Sequence, residues 1–319
     1  MEKIKGRNQT PIAEFIILGF GNGPELQPLV FLLFLLIYIA TVAGNSLTIV
    51  LVIADHHLHT PMYYFLGHLS FLEVCYTSAF LPPLLASLLS RDRTISAKVC
   101  VGQLVIYGGL STTETVMLSA MSYDRYLAIC RPLRYAALMN GQLCCQIAGG
   151  CWISSFLLCA IANSFFWQLT FCGSKEIDHF FCDYSSMIKL SCDDTSTVEM
   201  VTAVVAVIGV FVPFLLTLTS YIFIIAAILR IPSATGRQKA FSTCSSHLIV
   251  LVIFYVTVIT VFMVPAANTP KVLHKIFSVF YIVLTPLLNP VIYCLRNKEV
   301  KGALRSVVLQ LAASRNHWS

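Results

Sequence analysis

Seven long, mainly apolar stretches alternate with polar connections along the chain, and one connection, Gln168 to Thr197, is long and rich in cysteine. The stretches are Leu26–Ala54, Pro61–Leu89, Val99–Ile129, Gln142–Trp167, Val198–Leu229, Phe241–Pro265 and Val272–Leu295. Each exceeds the roughly 20 residues that an α-helix needs to cross a bilayer core. Backbone groups in lipid must pair within their own segment, and none of the stretches alternates as a barrel strand does. The pattern therefore predicts an all-α membrane protein, a seven-transmembrane helix bundle.

These bounds divide the chain into an extracellular N-terminal tail at residues 1–25, a transmembrane domain at residues 26–295, and a cytoplasmic amphipathic helix and tail at residues 296–319. In the last part, apolar residues recur along one helical face and basic residues along the other: Val300, Ala303, Leu304, Val307 and Val308 against Lys298, Lys301 and Arg305. Such a helix is expected to lie on the inner leaflet. The apolar run Phe15 to Phe20 is too short for a cleavable signal, so the first span is expected to act as an uncleaved anchor.

The composition agrees with a protein embedded in lipid. Of the 319 residues, 57% are hydrophobic and only 11% are charged, whereas soluble domains carry about 25% charged residues. The formal net charge of +6 comes from the basic ends of segments rather than from a stripe of the kind that binds nucleic acid. No nucleic-acid partner is therefore expected.

Two features favour an extracellular amino terminus, an orientation that the distribution of Lys and Arg supports only weakly. Asn8 opens the glycosylation sequence Asn8-Gln9-Thr10, which is used only in the secretory lumen. Cys100, Cys172, Cys182 and Cys192 fall on the same side of the membrane as Asn8, which is then the oxidising side. Four cysteines allow three pairings.

Several short strings resemble one family. They include LHTPMYYFL at Leu58–Leu66, MSYDRYLAICRPLRY at Met121–Tyr135, HFFCD at His179–Asp183, KAFSTCSSHL at Lys239–Leu248 and PLLNPVIYCLRN at Pro286–Asn297. They follow one another in the expected helices, and the resemblance extends from Asn8 to about Arg305. On these strings the chain resembles the vertebrate odorant (olfactory) receptors of the rhodopsin-like G-protein-coupled class.

The resemblance implies a receptor and not an enzyme. Its ligand would be a small, mostly neutral volatile molecule, and its partner a heterotrimeric G protein of the stimulatory olfactory type that raises cyclic AMP. The protein would cross the plasma membrane several times, in olfactory sensory cilia. No cofactor is implied other than, as a hypothesis, a bound sodium ion.

A switch is expected at the end of the third span, where Asp124 and Arg125 stand side by side. The adjacent carboxylate lowers the free-energy cost of holding a guanidinium at membrane depth. By resemblance, the pair is locked at rest, and Arg125 is released to contact the G protein. Without the flanking string, the pair would be no more than a helix that ends in charged residues at the membrane surface. The resemblance extends the switch and coupling residues to Tyr126, Tyr221, Lys239, Asn289, Pro290 and Tyr293.

Two glutamates, Glu73 and Glu114, lie in the middle of spans that carry no Lys or Arg in their cores. If they face each other, both cannot be ionised without a cation between them, so they would share a proton or a sodium ion. The hypothesis is an ion- or proton-sensitive site completed by Asn45 and Asn289. The alternative is a neutral, hydrogen-bonded pair with a structural role. Pro290 has no N–H, so the carbonyl of Pro286 needs another partner, and Asn45 is a candidate.

A ligand pocket is expected between the third, fifth, sixth and seventh spans. Helical spacing from Arg125 and the matching stretches of the other spans give its candidate residues: Tyr107, Gly108, Ser111, Thr112, Val205, Ala206, Gly209, Tyr255, Val258, Ile259, Phe262, Val279 and Ile282. They are apolar or weakly polar, which suits a small neutral molecule. The alternative is that many of these side chains simply fill the core.

By resemblance, Cys100 pairs with Cys182 and Cys172 with Cys192, which ties the long loop over the helix mouths as a lid. No metal site is expected; His56, His57 and His59 lie on a short connection where a loop role is favoured.

Three other functions are less consistent with the sequence. A light receptor needs a lysine in the middle of the seventh span, and Lys275 lies near the end of that span. A transporter or channel is disfavoured by the odd number of spans and by the lack of an inverted repeat. An enzyme is disfavoured because no nucleophile–base set converges.

Overall fold

A computed structural model describes residues 13–20, 25–90, 92–172, 174–263, 271–296 and 300–305. Eleven α-helices lie in these ranges: α1 Gln27–Ala54, α2 Pro61–Ser90, α3 Ala97–Cys130, α4 Pro132–Leu138, α5 Gly141–Phe166, α6 Tyr184–Ile188, α7 Ser196–Ala206, α8 Val212–Leu229, α9 Ala234–Met263, α10 Lys271–Val279 and α11 Thr285–Arg296. A 3₁₀ turn, His56–Leu58, joins α1 to α2. Three short strands are β1 Glu14–Ile17, β2 Thr94–Ser96 and β3 Glu176–Ile177.

The fifth and seventh spans are each two α-helices joined by a five-residue π-helical segment, Val207–Phe211 and Phe280–Leu284. A proline follows each segment by two residues, Pro213 in α8 and Pro286 in α11. Because proline cannot donate the usual backbone hydrogen bond, the turn before it loosens, and a wider turn is one way to accommodate the loss. The fifth span, with α7 and α8, and the seventh, with α10 and α11, are therefore irregular near their middles.

The protein is a seven-span helical membrane bundle. Within the described residues, five helical segments are long and apolar enough to cross a membrane, and six if the bent α9, with its 52° change of direction, counts as one span. The remaining span is α3, which packs against α2, α5, α8 and α9. It is less apolar because it lies among other helices and buries polar side chains, among them Ser111, Thr113 and Ser122, instead of facing lipid.

Capping side chains set where two helices begin. Ser96 accepts a hydrogen bond from the backbone N–H of Val99 at the start of α3. Asn140 does the same for Leu143 at the start of α5, at 2.9 Å. Each cap satisfies one of the free N–H groups of a first helical turn. At the other end of the chain, residues 300–305 are helical, with Val300 and Ala303 buried against the bundle core and Lys301 and Arg305 exposed, as the amphipathic pattern predicts.

A three-stranded sheet in the order β2-β1-β3 covers one end of the bundle, which we call the lid end. β1 pairs antiparallel with β2 and parallel with β3. Residues 14–20, the strap, therefore form part of the lid, although a tail was expected there. The sheet is not visible in the sequence because its strands have only two to four residues and pair across 78 to 160 positions of the chain.

Two disulfides hold the lid, and they join the pairs that the resemblance implies. Cys100 at the start of α3 is bonded to Cys182, with Cα atoms 5.4 Å apart. Cys172 is bonded to Cys192 within the long loop, with Cα atoms 5.9 Å apart. A separate apolar cluster that includes Phe15, Phe166 and Phe171 fills the space beneath. The lid therefore has a core of its own.

Candidate ligand-binding and coupling sites

Four polar side chains lie inside the bundle on α1, α2, α3 and α11, and we call them the polar centre: Asn45, Glu73, Glu114 and Asn289. All four are buried. The Asn289 amide donates a hydrogen bond of 2.5 Å to Glu73 Oε1, and the Glu73 and Glu114 carboxyl groups interact electrostatically. Asn45 is hydrogen-bonded to Pro286, which precedes Asn289 in the same span. The structure therefore brings Glu73, Glu114 and Asn289 together, and Asn45 contacts the span that carries Asn289.

Pro290 explains how Asn45 is held. The carbonyl oxygen of Pro286 would accept from residue 290 in a regular helix, but proline has no N–H. Instead, Asn45 Nδ2 donates to Pro286 O at 3.1 Å and to Thr41 O at 3.0 Å. Gly44 permits this approach, since a Cβ there would lie 3.1 Å from Pro290 Cγ. The candidate partner of the freed carbonyl is thus confirmed.

Several oxygens at the polar centre retain unused acceptor capacity. Thr41 Oγ1, Asn45 Oδ1, Glu73 Oε2 and Glu114 Oε1 are buried and have no hydrogen-bond partner within the described part of the chain. Two buried carboxyl groups that interact cannot both be ionised without a cation between them. Oxygen atoms of this kind suit either a shared proton or one small, hard cation. The residues therefore fit both forms of the hypothesis.

At the opposite end, which we call the Arg125 end, Arg125 is paired with its neighbour. Its Nη2 lies 2.5 Å from Asp124 Oδ2 and its Nε lies 2.9 Å from the same atom. The Asp124 side chain is fully buried, and that of Arg125 is 16% exposed. The second carboxylate oxygen, Oδ1, accepts a hydrogen bond of 2.8 Å from the hydroxyl of Tyr135 on α4. Burial and the Asp124 carboxylate both raise the pKa of Tyr135, so the phenol stays a donor.

From the sequence, Tyr135 was expected only as the end of the Arg131–Tyr135 loop at the G-protein surface and not as a partner of Asp124, although it closes the string that contains Asp124. No local pattern shows that α4 folds back toward α3. Tyr126, in contrast, faces away from the pair: its ring stacks on Tyr123 with centroids 6.2 Å apart and contacts Phe223 of α8.

A second contact joins α8 to α9 near the same end. The Tyr221 hydroxyl and His247 Nδ1 are 2.9 Å apart, and both side chains are buried. Tyr221 was expected in the switch, whereas His247 was missed; its place in the string KAFSTCSSHL was the available hint. Asn8 and the side chains of Lys239, Phe262 and Tyr293 lie outside the described residues.

The surface of the Arg125 end carries an apolar side chain without cover. Leu133 on α4 is 99% exposed, and the exposed Arg131 and Arg134 flank it. Single exposed apolar side chains are common on protein surfaces, so the exposure of Leu133 shows that it is accessible to a partner.

The expected pocket residues fall into three groups in the structure. Ser111, Thr112, Gly209, Tyr255, Val258 and Ile282 are buried, and Tyr107, Gly108, Val205, Ala206 and Val279 are partly buried. Ile259 is different: it is 42% exposed and shares an outward strip of α9 with Val252 and Val256. Helical spacing alone did not show that the strip turns outward.

Two of the buried residues join helices to one another. A Cβ on Gly209 would lie 2.8 Å from Thr112 Cγ2, so α3 and the fifth span approach closely there. The Thr112 hydroxyl contacts Cys159 Sγ of α5 at 3.6 Å, and a Cβ on Gly108 would lie 3.2 Å from the same sulfur. Thr112 and Gly108 therefore lie at the packed interface with α5.

An aromatic cluster surrounds Tyr107 on the side of α2 and the seventh span. Its members, Tyr76, Phe80, Phe181 and Tyr281, have ring centroids 5.6 to 6.4 Å from that of Tyr107. The Tyr281 hydroxyl lies 2.5 Å from Ser111 Oγ, across the interface of the seventh span and α3. None of these four was expected from the sequence, because the rings come from three elements far apart in the chain.

An ion pair ties the lid to the seventh span. Lys275 Nζ donates to Asp178 Oδ1 at 2.6 Å and to the Gly19 carbonyl at 2.7 Å. Gly19 has a φ of 64°, which a glycine adopts without strain. The ring of Phe20 stacks between Phe34 and Phe180. The strap is thus held at several points over the bundle.

Comparisons with known proteins agree with one another. A family model described as olfactory receptor matches residues 34–311. Human olfactory receptor 2G6 is 46% identical over 303 residues, which cover 95% of this chain and 96% of that protein. Human olfactory receptor 6Y1 is 45% identical over 94% of this chain and 93% of its own length. Mouse olfactory receptor 6B9 is 45% identical over 94% and 95%.

Proposed function

Because this chain belongs to the olfactory receptor family, whose members are receptors and not enzymes, we propose that it binds small, mostly neutral volatile molecules and activates a stimulatory, olfactory-type G protein, which raises cyclic AMP. The lid end faces outward, and the Arg125 end faces the cytoplasm. The protein acts in the plasma membrane, and we expect it in sensory cilia.

The ligand occupies the region between the lid and the polar centre. The described residues proposed for contact carry no charge, and hydroxyl groups are available on Ser111, Tyr107 and Tyr255. Burying a ligand there contributes about 25 cal/mol per Å² of apolar area, and one or two hydroxyls orient its polar group. The Tyr281–Ser111 hydrogen bond supports this assignment, since a ligand with a carbonyl or hydroxyl can exchange with it.

The buried Asp124–Arg125 pair, with Tyr135 on its second oxygen, is the observation that carries the coupling proposal. Separating a buried ion pair leaves an uncompensated charge, so the paired arrangement is favoured at rest. On activation, Arg125 leaves Asp124 and contacts the G protein, while Leu133 enters an apolar pocket of that partner. The Tyr221–His247 contact between α8 and α9 rearranges when α9 moves, and Asn289 and Pro290 let the seventh span bend. We also assign Tyr126, Lys239 and Tyr293 to G-protein coupling.

The polar centre stabilises the resting state by holding a sodium ion or a shared proton. The buried acceptor oxygens of Asn45, Glu73 and Glu114 support this role. If activation moves α11 against α2, Asn289 leaves Glu73 and the cation site is disrupted. Cation binding and the active arrangement of the helices then exclude each other.

The experiment is expression of the chain with a cyclic AMP reporter against an odorant panel, with current recorded in parallel. At least one neutral volatile should raise cyclic AMP in the wild type, and Arg125→Ala should abolish the response at equal surface expression. Lys189→Ala, which removes an exposed charge from the lid, is the matched control and should respond normally. A full response in Arg125→Ala, or a ligand-gated current without a G protein, would refute the proposal.

A further inference from the structure

A cavity separate from the expected pocket lies under the strap at the lid end. Its volume is about 120 Å³. Its walls are the strap and the first turns of α1 on one side and the last turns of α2 on the other, and they include Ile17, Leu18, Val30, Leu84 and Leu88. The cavity is partly open: among its described wall residues only Leu84 is buried, and Phe20 and Leu26 are 42% and 62% exposed.

The polar groups in the wall are already engaged. Gln27 Nε2 donates to Leu88 O at 2.7 Å, Ser87 Oγ to Leu84 O at 2.8 Å, and Arg93 Nη1 to Leu18 O at 3.2 Å. The remaining surface is mainly aliphatic. An ordered water needs two to four polar partners, whereas an enclosed apolar cavity of about 150 Å³ takes up benzene. The wall chemistry therefore favours a hydrocarbon-like occupant over water.

The position of the cavity gives such a molecule a route. Leu26 and Leu29 at the start of α1 are 62% and 63% exposed, and Leu89 beside the cavity on α2 is 75% exposed. These side chains face the lipid, where small apolar molecules concentrate. A molecule dissolved in the bilayer can reach the cavity between α1 and α2 without passing through the lid.

We propose that this cavity is a second binding site, which takes one small neutral hydrocarbon-like molecule of about the size of benzene. The site is independent of the pocket among the third, fifth, sixth and seventh spans. Its occupant contacts the strap, which Lys275 ties to the seventh span through Gly19. Binding therefore stabilises the closed arrangement of the strap over the bundle.

The test measures binding of fluorobenzene to the purified full chain in lipid nanodiscs by fluorine NMR relaxation. Ser87→Phe puts a ring into the cavity, so the dissociation constant of fluorobenzene for this variant should be at least tenfold higher than for the wild type. Ser90→Phe is the matched control: Ser90 is on the same helix, is exposed and does not line the cavity, so binding should equal that of the wild type. Equal binding by the wild type and Ser87→Phe would overturn the proposal.

Leu88→Ala keeps the test decisive if Ser87→Phe does not fold. It enlarges the cavity, so 1-fluoronaphthalene should bind at least tenfold more tightly than to the wild type. Equal affinities of the two proteins for 1-fluoronaphthalene would again overturn the second site. If the wild-type protein gave no odorant response but bound the fluorinated ligands as expected, the proposed function would be refuted and the second site would still be supported.

Discussion

Removal of one hydroxyl group tests the resting arrangement at the Arg125 end. Tyr135→Phe keeps the ring and deletes only the donor that bonds Asp124 Oδ1 at 2.8 Å. Asp124 then keeps Arg125 as its partner but leaves one buried carboxylate oxygen unsatisfied. Since activation separates Arg125 from Asp124 in our proposal, the substitution should destabilise the resting state more than the active one.

The magnitude follows from the position of Tyr135. A hydrogen bond to a charged group contributes about 1.5–3 kcal/mol when buried. The Tyr135 side chain is only half-buried, so water replaces part of the lost bond and about 1 kcal/mol should remain. That free energy corresponds to a roughly fivefold shift of a two-state equilibrium. The basal active fraction should rise about fivefold, and the odorant concentration for half-maximal response should fall by a similar factor.

The assay is basal and odorant-evoked cyclic AMP, normalised to receptor at the cell surface. Tyr123→Phe is the matched control, because Tyr123 lies on the same end of α3, is 45% exposed and has no hydrogen bond to Asp124 among the described residues. It should behave as the wild type. Unchanged or lower basal activity in Tyr135→Phe would refute the reasoning that this hydrogen bond holds the resting state.

Three further predictions concern the other proposed sites. Leu133→Asp should weaken G-protein coupling at least tenfold, since a fully exposed leucine contributes about 1.5–3 kcal/mol when a partner buries it. Leu138→Asp, on the same helix at 44% exposure, should have a smaller effect. Equal effects of the two substitutions would contradict the docking role of Leu133. Glu73→Gln combined with Glu114→Gln should abolish the sodium dependence of basal signalling, and a sodium response like that of the wild type would exclude the ion site. Asn8→Gln should remove a glycosidase-sensitive mobility shift; a wild-type protein without that shift would show that Asn8 is not glycosylated.

The positions of the spans were predictable because lipid permits few backbone arrangements. A long apolar run must form a helix, so the bounds of α1, α2 and α5 agree with the expected stretches within a few residues. The sequence also indicated the polar centre, since Glu73 and Glu114 are ionisable residues within otherwise apolar spans. The need of a freed Pro286 carbonyl for a donor pointed to Asn45 in advance.

Other features depend on which elements become neighbours. The strap lies in a sheet because β1 meets β2 and β3 in space, and strands this short carry no pattern of their own. Tyr135 reaches Asp124 only because α4 folds back on α3, and the outward direction of Ile259 depends on how α9 is rotated against the bundle.

The sequence by itself therefore determined the helical membrane class, the approximate spans and the membership of the polar centre, because hydrophobicity and the need to satisfy buried polar groups act locally. Only the tertiary structure decided the lid sheet, the partners of Asp124 and Lys275, and the cavity under the strap. Each of these joins residues that are distant in the chain, and their meeting depends on how whole helices pack.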